Sequence, residues 1–309
     1  MRSLGLEDAV RMPMAGDAGV RRYHRLRMGE GGTRVIMDAP GQIETCRAYL
    51  RVGQLMAEAG LHVPQVHAVD LQSGLLLLED LGTQSYLDAL LSEHPAPATL
   101  IEAALEALVR WQVVSRPGVL PKLNEECLLN EMNLFPVWYV RKVLNHEPSG
   151  AWLERWQQGC HALITLLLDQ PEVWVHRDFM GRNLLLSEPL PGVIDFQDAG
   201  SGPVTYDVLS LLRDAFYSFS EAQERRYLAF YAKRCEAMGV PLPDNLPQAV
   251  DLMGVQRHFK VLGIFARLAH RDDKPHYLTD APRFFTYLER ELKAHPDLAV
   301  FSELLAELP

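Results

Sequence analysis

Residues 175–186 read VHRDFMGRNLLL, and this stretch decides the fold of the chain. Its HRD triplet ends at Asp178, and four residues separate that aspartate from Asn183. Apolar residues flank the pattern on both sides, as is typical of a polar loop between short buried strands. A second acid, Asp195, ends the apolar run GVI twelve residues after Asn183. Together, the HRD stretch and the strand that ends at Asp195 predict that Asp178, Asn183 and Asp195 bring their oxygen atoms into one cleft.

HRDxxxxN is the pattern of a kinase catalytic loop. Phosphoryl transfer has a loose transition state, so it needs positioning and charge neutralisation more than covalent help. Asp178 suits the base that faces an attacking hydroxyl, and Asn183 and Asp195 suit the oxygen ligands of Mg²⁺. The alternative for Asp178 is a loop carboxylate that caps a turn.

Two neighbours of this pattern are interpreted as structural supports. His176 is expected to be a buried, hydrogen-bonded residue and not a catalyst. Asp207 opens a predicted helix, where an acid is favoured by the helix dipole. It is equally suited to bracing the catalytic loop through backbone N–H groups, and both interpretations remain open.

The remaining periodicity predicts an α+β chain with a small β-rich N-lobe, 1–82, and a larger helical C-lobe, 83–309, joined by a hinge at 79–82. Strands are predicted at 20–28, 33–38, 66–69 and 75–79, with one helix at 41–59. Further helices are predicted at 97–115, 123–145 and 150–169. A β-rich segment at 172–196 follows, and the chain is helical from residue 204 onward.

Composition excludes several classes of protein. The 309 residues carry 30 Lys and Arg against 40 Asp and Glu, a net charge of −10, which argues against nucleic acid as a partner. No apolar run is long enough to span a bilayer, so no membrane partner is expected. The four cysteines form no CxxC pair, which is typical of a reducing, cytoplasmic compartment.

The chain resembles the small-molecule kinases of the aminoglycoside phosphotransferase and choline kinase type, which share the bilobal protein-kinase-like fold. Within that family it is most similar to anomeric kinases of N-acetylmuramate and N-acetylglucosamine, enzymes of cell-wall sugar recycling. The segments that carry the resemblance are GDAGVRRYHRL (16–26), LLLEDLG (76–82), EMNLFPVWYVRK (131–142), HRDFMGRNLLL (176–186), VIDFQDAGSGPVTYDVLSLLRDA (193–215) and QRHFKVLGIFARLAHRD (256–272).

The resemblance implies an enzyme that uses ATP and Mg²⁺, with Asp178 as the base and Asn183 and Asp195 as metal ligands. It places adenine against the hinge at 78–81 through backbone groups, with Glu79 and Leu81 as the residues implied there, and it makes Val35 of the third strand face adenine. It also implies that Gly16–Gly19 covers the phosphates, although GDAG by itself indicates only a hairpin turn.

One departure from the wider kinase pattern is clear. Kinases place a Lys on the third strand against the ATP phosphates, and here Met37 stands at that position. No Lys occurs before Lys122. Either Arg21 or Arg22 binds the phosphates in place of the lysine, or the phosphates are bound by Mg²⁺ and backbone N–H groups without a side-chain cation. Strand alternation allows at most one of the two arginines to point inward, and a solvated strand face is the alternative for both.

The acceptor is expected to be small and directly accessible, because Asp195 and Asp207 are too close for a protein-kinase activation segment. The resemblance implies that it is a sugar. Candidate contacts are Glu131, Trp138, Arg182 and Arg267. A basic group should meet the lactyl carboxylate of N-acetylmuramate, and Arg suits a carboxylate best. The candidates are Arg257, His258, Lys260, Arg267, Arg271 and Lys274. Phe135 and Trp138 could form an aromatic platform for the sugar. The alternative is that both pack in the core, because aromatic residues at helical spacing are usually buried.

Two other functions remain open at this point. The acidic C-lobe suits a cationic aminoglycoside as well as an amino sugar. The missing Lys also allows a non-catalytic nucleotide-binding pseudokinase, against which the intact base and metal ligands argue. A monomer is expected.

Overall fold

The computed structural model describes residues 9–14, 21–29, 31–92 and 97–309. The chain folds into two compact units. The N-terminal unit comprises Met1–Trp111 and Gly181–Ala199, and the C-terminal unit comprises Gln112–Met180 and Gly200–Pro309. This grouping follows packing and not chain order, so the lobe boundary at residue 82 stays a prediction.

The N-terminal unit is built on a five-stranded antiparallel sheet, in the order β1-β2-β3-β5-β4. Its strands are β1 (Val10–Pro13), β2 (Arg22–Arg27), β3 (Thr33–Asp38), β4 (Val66–Asp70) and β5 (Leu75–Glu79). Helix α1 (Ile43–Glu58) joins β3 to β4 and buries Cys46, Tyr49, Val52 and Met56. Alternation along β3 buries Val35 and Met37, so the side chain at the kinase Lys position lies in the core.

Four of these strands were predicted, and β3 and β5 have the predicted bounds. The start of the predicted strand 20–28 and the whole of Gly16–Gly19 lie outside the described residues. Strand β1 was not predicted, because VRMP is short and ends in a proline. Such a segment is typical of an edge strand, where a missing backbone N–H costs no ladder hydrogen bond.

The same unit contains two further helices and a small hairpin. Helix α2 (Tyr86–Leu91) begins at a capping box in which Ser85 and Asp88 exchange hydrogen bonds. Helix α3 (Pro97–Val113) follows it and ends at the unit boundary. The 3₁₀ turn Gly181–Asn183 leads into β7 (Leu184–Leu185), which pairs with β8 (Gly192–Val193) in antiparallel register.

The C-terminal unit is mainly helical, and the predicted α+β class is thereby confirmed. One short antiparallel ladder joins β6 (Glu172–Val175) to β9 (Gly200–Pro203). The helices are α4 (Glu125–Met132), a π-helix (Phe135–Val143), α5 (Gly150–Leu168), α6 (Thr205–Leu212), α7 (Glu221–Met238), α8 (Leu246–Arg271), α9 (Ala281–Ala294) and α10 (Ala299–Ala306), with 3₁₀ turns at Pro275–Asp280 and Pro296–Leu298.

The single helix predicted over 123–145 is wrong, because the structure divides it into α4 and the π-helix. Pro136 stands in the first turn of the π-helix. Proline has no N–H to donate and its ring clashes with the carbonyl four residues earlier, so a regular α-helix does not continue through it. The junction carries Asn133, whose side-chain oxygen accepts hydrogen bonds from Trp156 and Gln157 of α5.

Helix α8 is the centre of this unit and is buried along most of its 26 residues. A Cβ at Gly263 would lie 2.4 Å from the carbonyl carbon of Leu134, so only glycine allows this approach of α8 to the start of the π-helix. Across the described ranges, no helix combines the length and apolarity that crossing a membrane requires. All four cysteines lie in those ranges and carry free thiols.

Candidate active site

The HRD triplet follows β6 in the C-terminal unit, and its backbone is held by Asp207. This carboxylate is fully buried in the first turn of α6. It accepts hydrogen bonds from the backbone N–H of His176 at 2.5 Å and of Arg177 at 2.9 Å. His176 is itself buried and its ring lies edge-on to Phe179. Asp207 therefore makes the loop-bracing contacts that one of the two sequence interpretations describes.

Arg177 adopts a left-handed backbone conformation with φ of 76°. Non-glycine residues in this region are strained by about 1–3 kcal/mol and persist only where their surroundings hold them. The side chain is fixed as well, because its guanidinium donates to Glu131 at 2.5 Å. The turn that presents the next residue, Asp178, is thus held at both backbone and side chain.

Glu131, a candidate acceptor contact, lies at the centre of a buried polar cluster. Its Oε1 accepts from Arg177 and from Lys260, the latter at 2.9 Å, and its Oε2 accepts from Gln256 at 3.0 Å. Burial by itself would raise the pKa of Glu131, but Lys260 and Arg177 lower it to about 2. These contacts occupy both oxygens, so this carboxylate holds the loop in the described structure, and its role toward an acceptor stays a prediction.

Asp178 differs from these buried acids, because its side chain is 44% exposed. Its backbone N–H donates to Nδ1 of His176 at 3.3 Å. A guanidinium nitrogen of Arg257 lies 4.0 Å from Oδ1, which is beyond hydrogen-bond length. A carboxylate so placed can accept a proton from a hydroxyl that approaches through solvent.

The two candidate metal ligands belong to the N-terminal unit and flank the β7–β8 hairpin. The backbone carbonyl of Asn183 accepts from the N–H of Ile194 at 3.1 Å, which places Asn183 and Asp195 at the same end of the hairpin. Asn183 is buried, whereas the Asp195 side chain is 38% exposed and its backbone has φ of 63°.

An amide oxygen and a carboxylate are hard donors that fit Mg²⁺, which retains waters and takes phosphate oxygens as further ligands. Among the described residues there is no group of three or more His, Cys, Asp or Glu side chains placed to hold a metal. The sparse Asn–Asp pair suits a metal that a nucleotide completes and does not suit an all-protein cage.

Arg21 and Arg22 point in different directions, as the alternation of β2 predicts. A terminal nitrogen of Arg21 lies 3.2 Å from Oδ1 of Asp195, whereas Arg22 is exposed. Glu44, where kinases keep the partner of the strand Lys, has an 83% exposed side chain and pairs with Arg47 on the surface. Within the described part of this unit, Arg21 is thus the arginine of the pair that joins the candidate metal ligands.

The predicted hinge is held by contacts that the sequence did not indicate. Arg25 of β2 makes a two-bond ion pair with Asp80, with N–O distances of 2.5 and 2.9 Å, and also donates to the carbonyl of Gly82 at 2.9 Å. Burial would raise the pKa of Asp80, but hydrogen bonds from Arg25 and Thr33 bring it below its usual range.

Among the candidate adenine contacts, Val35 and Leu81 are buried and Glu79 is half-buried. Val35 lies opposite Leu78 in the ladder, and the Glu79 carboxylate accepts from the N–H of Gln65 at 3.1 Å. Their roles toward a nucleotide stay predictions.

The other acceptor candidates are spread over separate elements. Phe135 is fully buried and packs on Trp156 and Phe259, as the core interpretation expects, whereas Trp138 is half-buried. Arg182 lies on the 3₁₀ turn and is half-buried. Arg267 is half-buried on α8, and burial together with Arg271 lowers its pKa.

The sequence analysis named Arg257 and Lys260 only as candidates for an acceptor carboxylate, whereas the structure places them with Tyr206 and Gln256, which the sequence analysis missed, around Arg177 and Glu131. The available signal was the spacing along one helix. Lys260 follows Arg257 by three positions and Gln256 by four, and residues at these spacings share a helix face. A second signal was Arg177 of the HRD triplet, because its guanidinium needs a carboxylate as a partner.

Similarity to known proteins places the chain in a family. Residues 11–242 match the model of a family described as the phosphotransferase enzyme family. The chain is 51% identical over 302 residues to the N-acetylmuramate/N-acetylglucosamine kinase of Pseudomonas aeruginosa, which covers 96% of this chain and 88% of that protein. It is 43% identical over 299 residues to the protein of the same name from Neisseria meningitidis serogroup B, with 95% and 89% covered.

Solved structures show the same fold at low sequence identity. An ADP-bound aminoglycoside phosphotransferase matches with a TM-score of 0.64 at 14% identity, over 94% of this chain and 96% of that one. A choline/ethanolamine kinase family protein from Mesorhizobium loti matches with a TM-score of 0.64 at 14% identity, over 98% and 95%. The predicted kinase-like fold is therefore confirmed.

Proposed function

Because the chain belongs to the phosphotransferase enzyme family, we propose that it transfers the terminal phosphoryl group of ATP to the anomeric hydroxyl of N-acetylmuramate and N-acetylglucosamine. The observation that carries the choice of substrate is the 51% identity to a kinase of that name across 96% of this chain. The candidate residues support the reaction class, because the C-terminal unit carries an exposed loop carboxylate and the N-terminal unit carries an Asn–Asp oxygen pair.

In this proposal the acceptor oxygen attacks the γ-phosphorus of ATP while its proton passes to Asp178. The bond between the γ-phosphorus and the β–γ bridging oxygen breaks, and ADP leaves with that electron pair. The anomeric hydroxyl is more acidic than the other hydroxyls of a sugar, so an ordinary carboxylate suffices as the base.

Asn183 and Asp195 would hold Mg²⁺, which neutralises charge on the phosphate oxygens when it is bound. Arg21 would supply the cation that the N-terminal sheet lacks at Met37, and its position beside Asp195 supports this assignment over Arg22. Val35, Glu79 and Leu81 would line the adenine site. Arg182, Trp138 and Arg267 remain acceptor contacts to be tested.

The decisive experiment offers the purified protein ATP, Mg²⁺ and, separately, N-acetylmuramate, N-acetylglucosamine and kanamycin. We expect ³¹P NMR of the products to show a phosphate coupled to the anomeric proton of the two amino sugars. Phosphorylation of kanamycin alone would assign the protein to antibiotic substrates. ATP binding without transfer to any acceptor would support a pseudokinase.

Asp178→Asn tests the base within the same assay. We expect turnover to fall by about 10²- to 10⁴-fold, the usual contribution of a general base, while ADP still binds. Asp169→Asn is the matched control, because Asp169 is an exposed aspartate at the end of α5. Equal turnover of the two variants would exclude Asp178 as the base.

A further inference from the structure

Arg257 of α8 is a second buried residue, besides Asp207, that contacts the catalytic loop. Its side chain is 4% exposed. One terminal nitrogen donates to the backbone carbonyl of Arg177 at 3.2 Å, and the other lies 4.0 Å from Oδ1 of Asp178. Asp207 binds the N–H of Arg177 and Arg257 binds its C=O, so the backbone of the strained residue before Asp178 is held at both its N–H and its C=O.

The guanidinium of Arg257 is itself held in place. It lies over the ring of Tyr206, 5.6 Å from the centroid, and the Tyr206 hydroxyl accepts from Lys260 at 2.6 Å. Lys260 in turn binds Glu131, the partner of Arg177. Buried charges are tolerated only when they are paired. The buried Arg257 and Lys260 and the half-buried Arg177 lie among the buried carboxylates of Glu131 and Asp207 and the more exposed carboxylate of Asp178.

We propose that Arg257 is a positioning residue, which aims the Asp178 carboxylate through the Arg177 carbonyl and orients it by charge. The proposal rests on the proposed function of Asp178 as the base. The 4.0 Å separation is central to it. At this distance the Arg257 cation attracts the carboxylate without donating a hydrogen bond to Oδ1.

Loss of Arg257 should therefore lower the turnover of the enzyme and leave the binding of ATP and sugar unchanged. A displacement of about 1 Å at a reacting group costs on the order of 10²-fold in rate. We therefore expect Arg257→Ala to lower kcat by about 10²-fold, with the KM values for ATP and sugar within about threefold of wild type. Arg225→Ala is the matched control, because Arg225 is 72% exposed on α7 and pairs with Glu221 on the surface.

The test measures kcat and KM of the full chain for wild type, Arg257→Ala, Arg257→Lys and Arg225→Ala, with and without added guanidinium ion. We expect guanidinium to restore part of kcat in Arg257→Ala, and to restore nothing in Asp178→Asn. If Arg257→Ala does not fold, Arg257→Lys decides the matter, because Lys keeps the charge but its ammonium cannot span both loop contacts. Its kcat should then fall with unchanged KM.

Wild-type kcat in Arg257→Ala or in folded Arg257→Lys would overturn the proposal. A raised KM for sugar at unchanged kcat would also overturn it, and would assign Arg257 to acceptor binding instead. Failure of the wild-type protein to phosphorylate either sugar would refute the proposed function. The wild-type protein is therefore assayed before any variant.

Discussion

The guanidinium of Arg21 lies 3.2 Å from the carboxylate of Asp195, so the proposed metal ligand already faces a cation within its own unit. The sheet that carries Arg21 has a buried Met37 where kinases place a lysine. Arg21, the residue just before β2, thereby brings a cation to Asp195 in a sheet that carries no lysine.

Replacing Arg21 should weaken nucleotide binding. A hydrogen bond to a charged group contributes about 1.5–3 kcal/mol, so Arg21→Met should raise the KM for ATP and the Kd for ADP about tenfold or more. Calorimetric titration with ADP reads this out without turnover. Arg22→Met should change neither constant by more than about twofold, because Arg22 is exposed. Equal effects of the two substitutions would refute the assignment.

Breaking the Arg25–Asp80 pair should destabilise the hinge. Asp80 is 4% exposed, and removal of one partner of a buried pair costs about 3–5 kcal/mol. Arg25→Met should lower the free energy of unfolding by about that amount and weaken ADP binding. The double variant Arg25→Met/Asp80→Asn should recover part of the loss. Arg27→Met, at an exposed arginine that ends the same strand, is the control, and an equal loss there would contradict the prediction.

The Glu131 cluster should make stability depend on acid pH. The pKa of Glu131 is lowered from 4.5 to about 2 in the folded protein. The unfolded chain therefore binds the proton first, and the contribution, about 3 kcal/mol, is complete above pH 4.5 and is lost as the pH falls toward 2.

Urea unfolding at a series of pH values checks this sign. Glu131→Gln should be less stable than wild type at about pH 6, and the difference should shrink between pH 4.5 and 2. Glu126→Gln is the control on the exposed face of α4 and should follow the wild-type curve throughout. A difference between wild type and Glu131→Gln that does not change with pH would show that the carboxylate charge does not stabilise the cluster.

Asp207→Asn should damage both the loop and the fold. The amide has one acceptor oxygen for the two N–H groups that Asp207 binds, and its NH₂ group would face one of them. An unsatisfied buried group costs about 1–3 kcal/mol, so the free energy of unfolding should fall by that amount. We expect kcat to fall as well. Unfolding by urea and steady-state kinetics of the same preparation check both results, with Asp169→Asn as the exposed control.

Much of the site could be predicted because it is local in the chain. Asp178 and Asn183 lie in one loop, and Asp195 follows a short hairpin, so their order and spacing carry the signal. Strands β3 and β5 were predictable from runs of apolar and β-branched residues, and α1 and α5 from helical periodicity. The absence of a lysine from the N-terminal sheet followed directly from the positions of the lysines in the sequence. The division of 123–145 was misjudged from propensity, although Pro136 was visible.

The sequence by itself determined the kinase-like fold, the candidate base and metal ligands, and the absence of a lysine from the N-terminal sheet. Tertiary structure alone decided that Arg21 and not Arg22 meets Asp195, that Arg25 pairs with Asp80 in the predicted hinge segment, and that Glu131 supports the loop. It also brought Arg257 to Asp178 across 79 positions of sequence. The physical reason is that local patterns fix which face of an element is buried, whereas the partner of a buried charge depends on how distant helices pack, and no local periodicity encodes that packing.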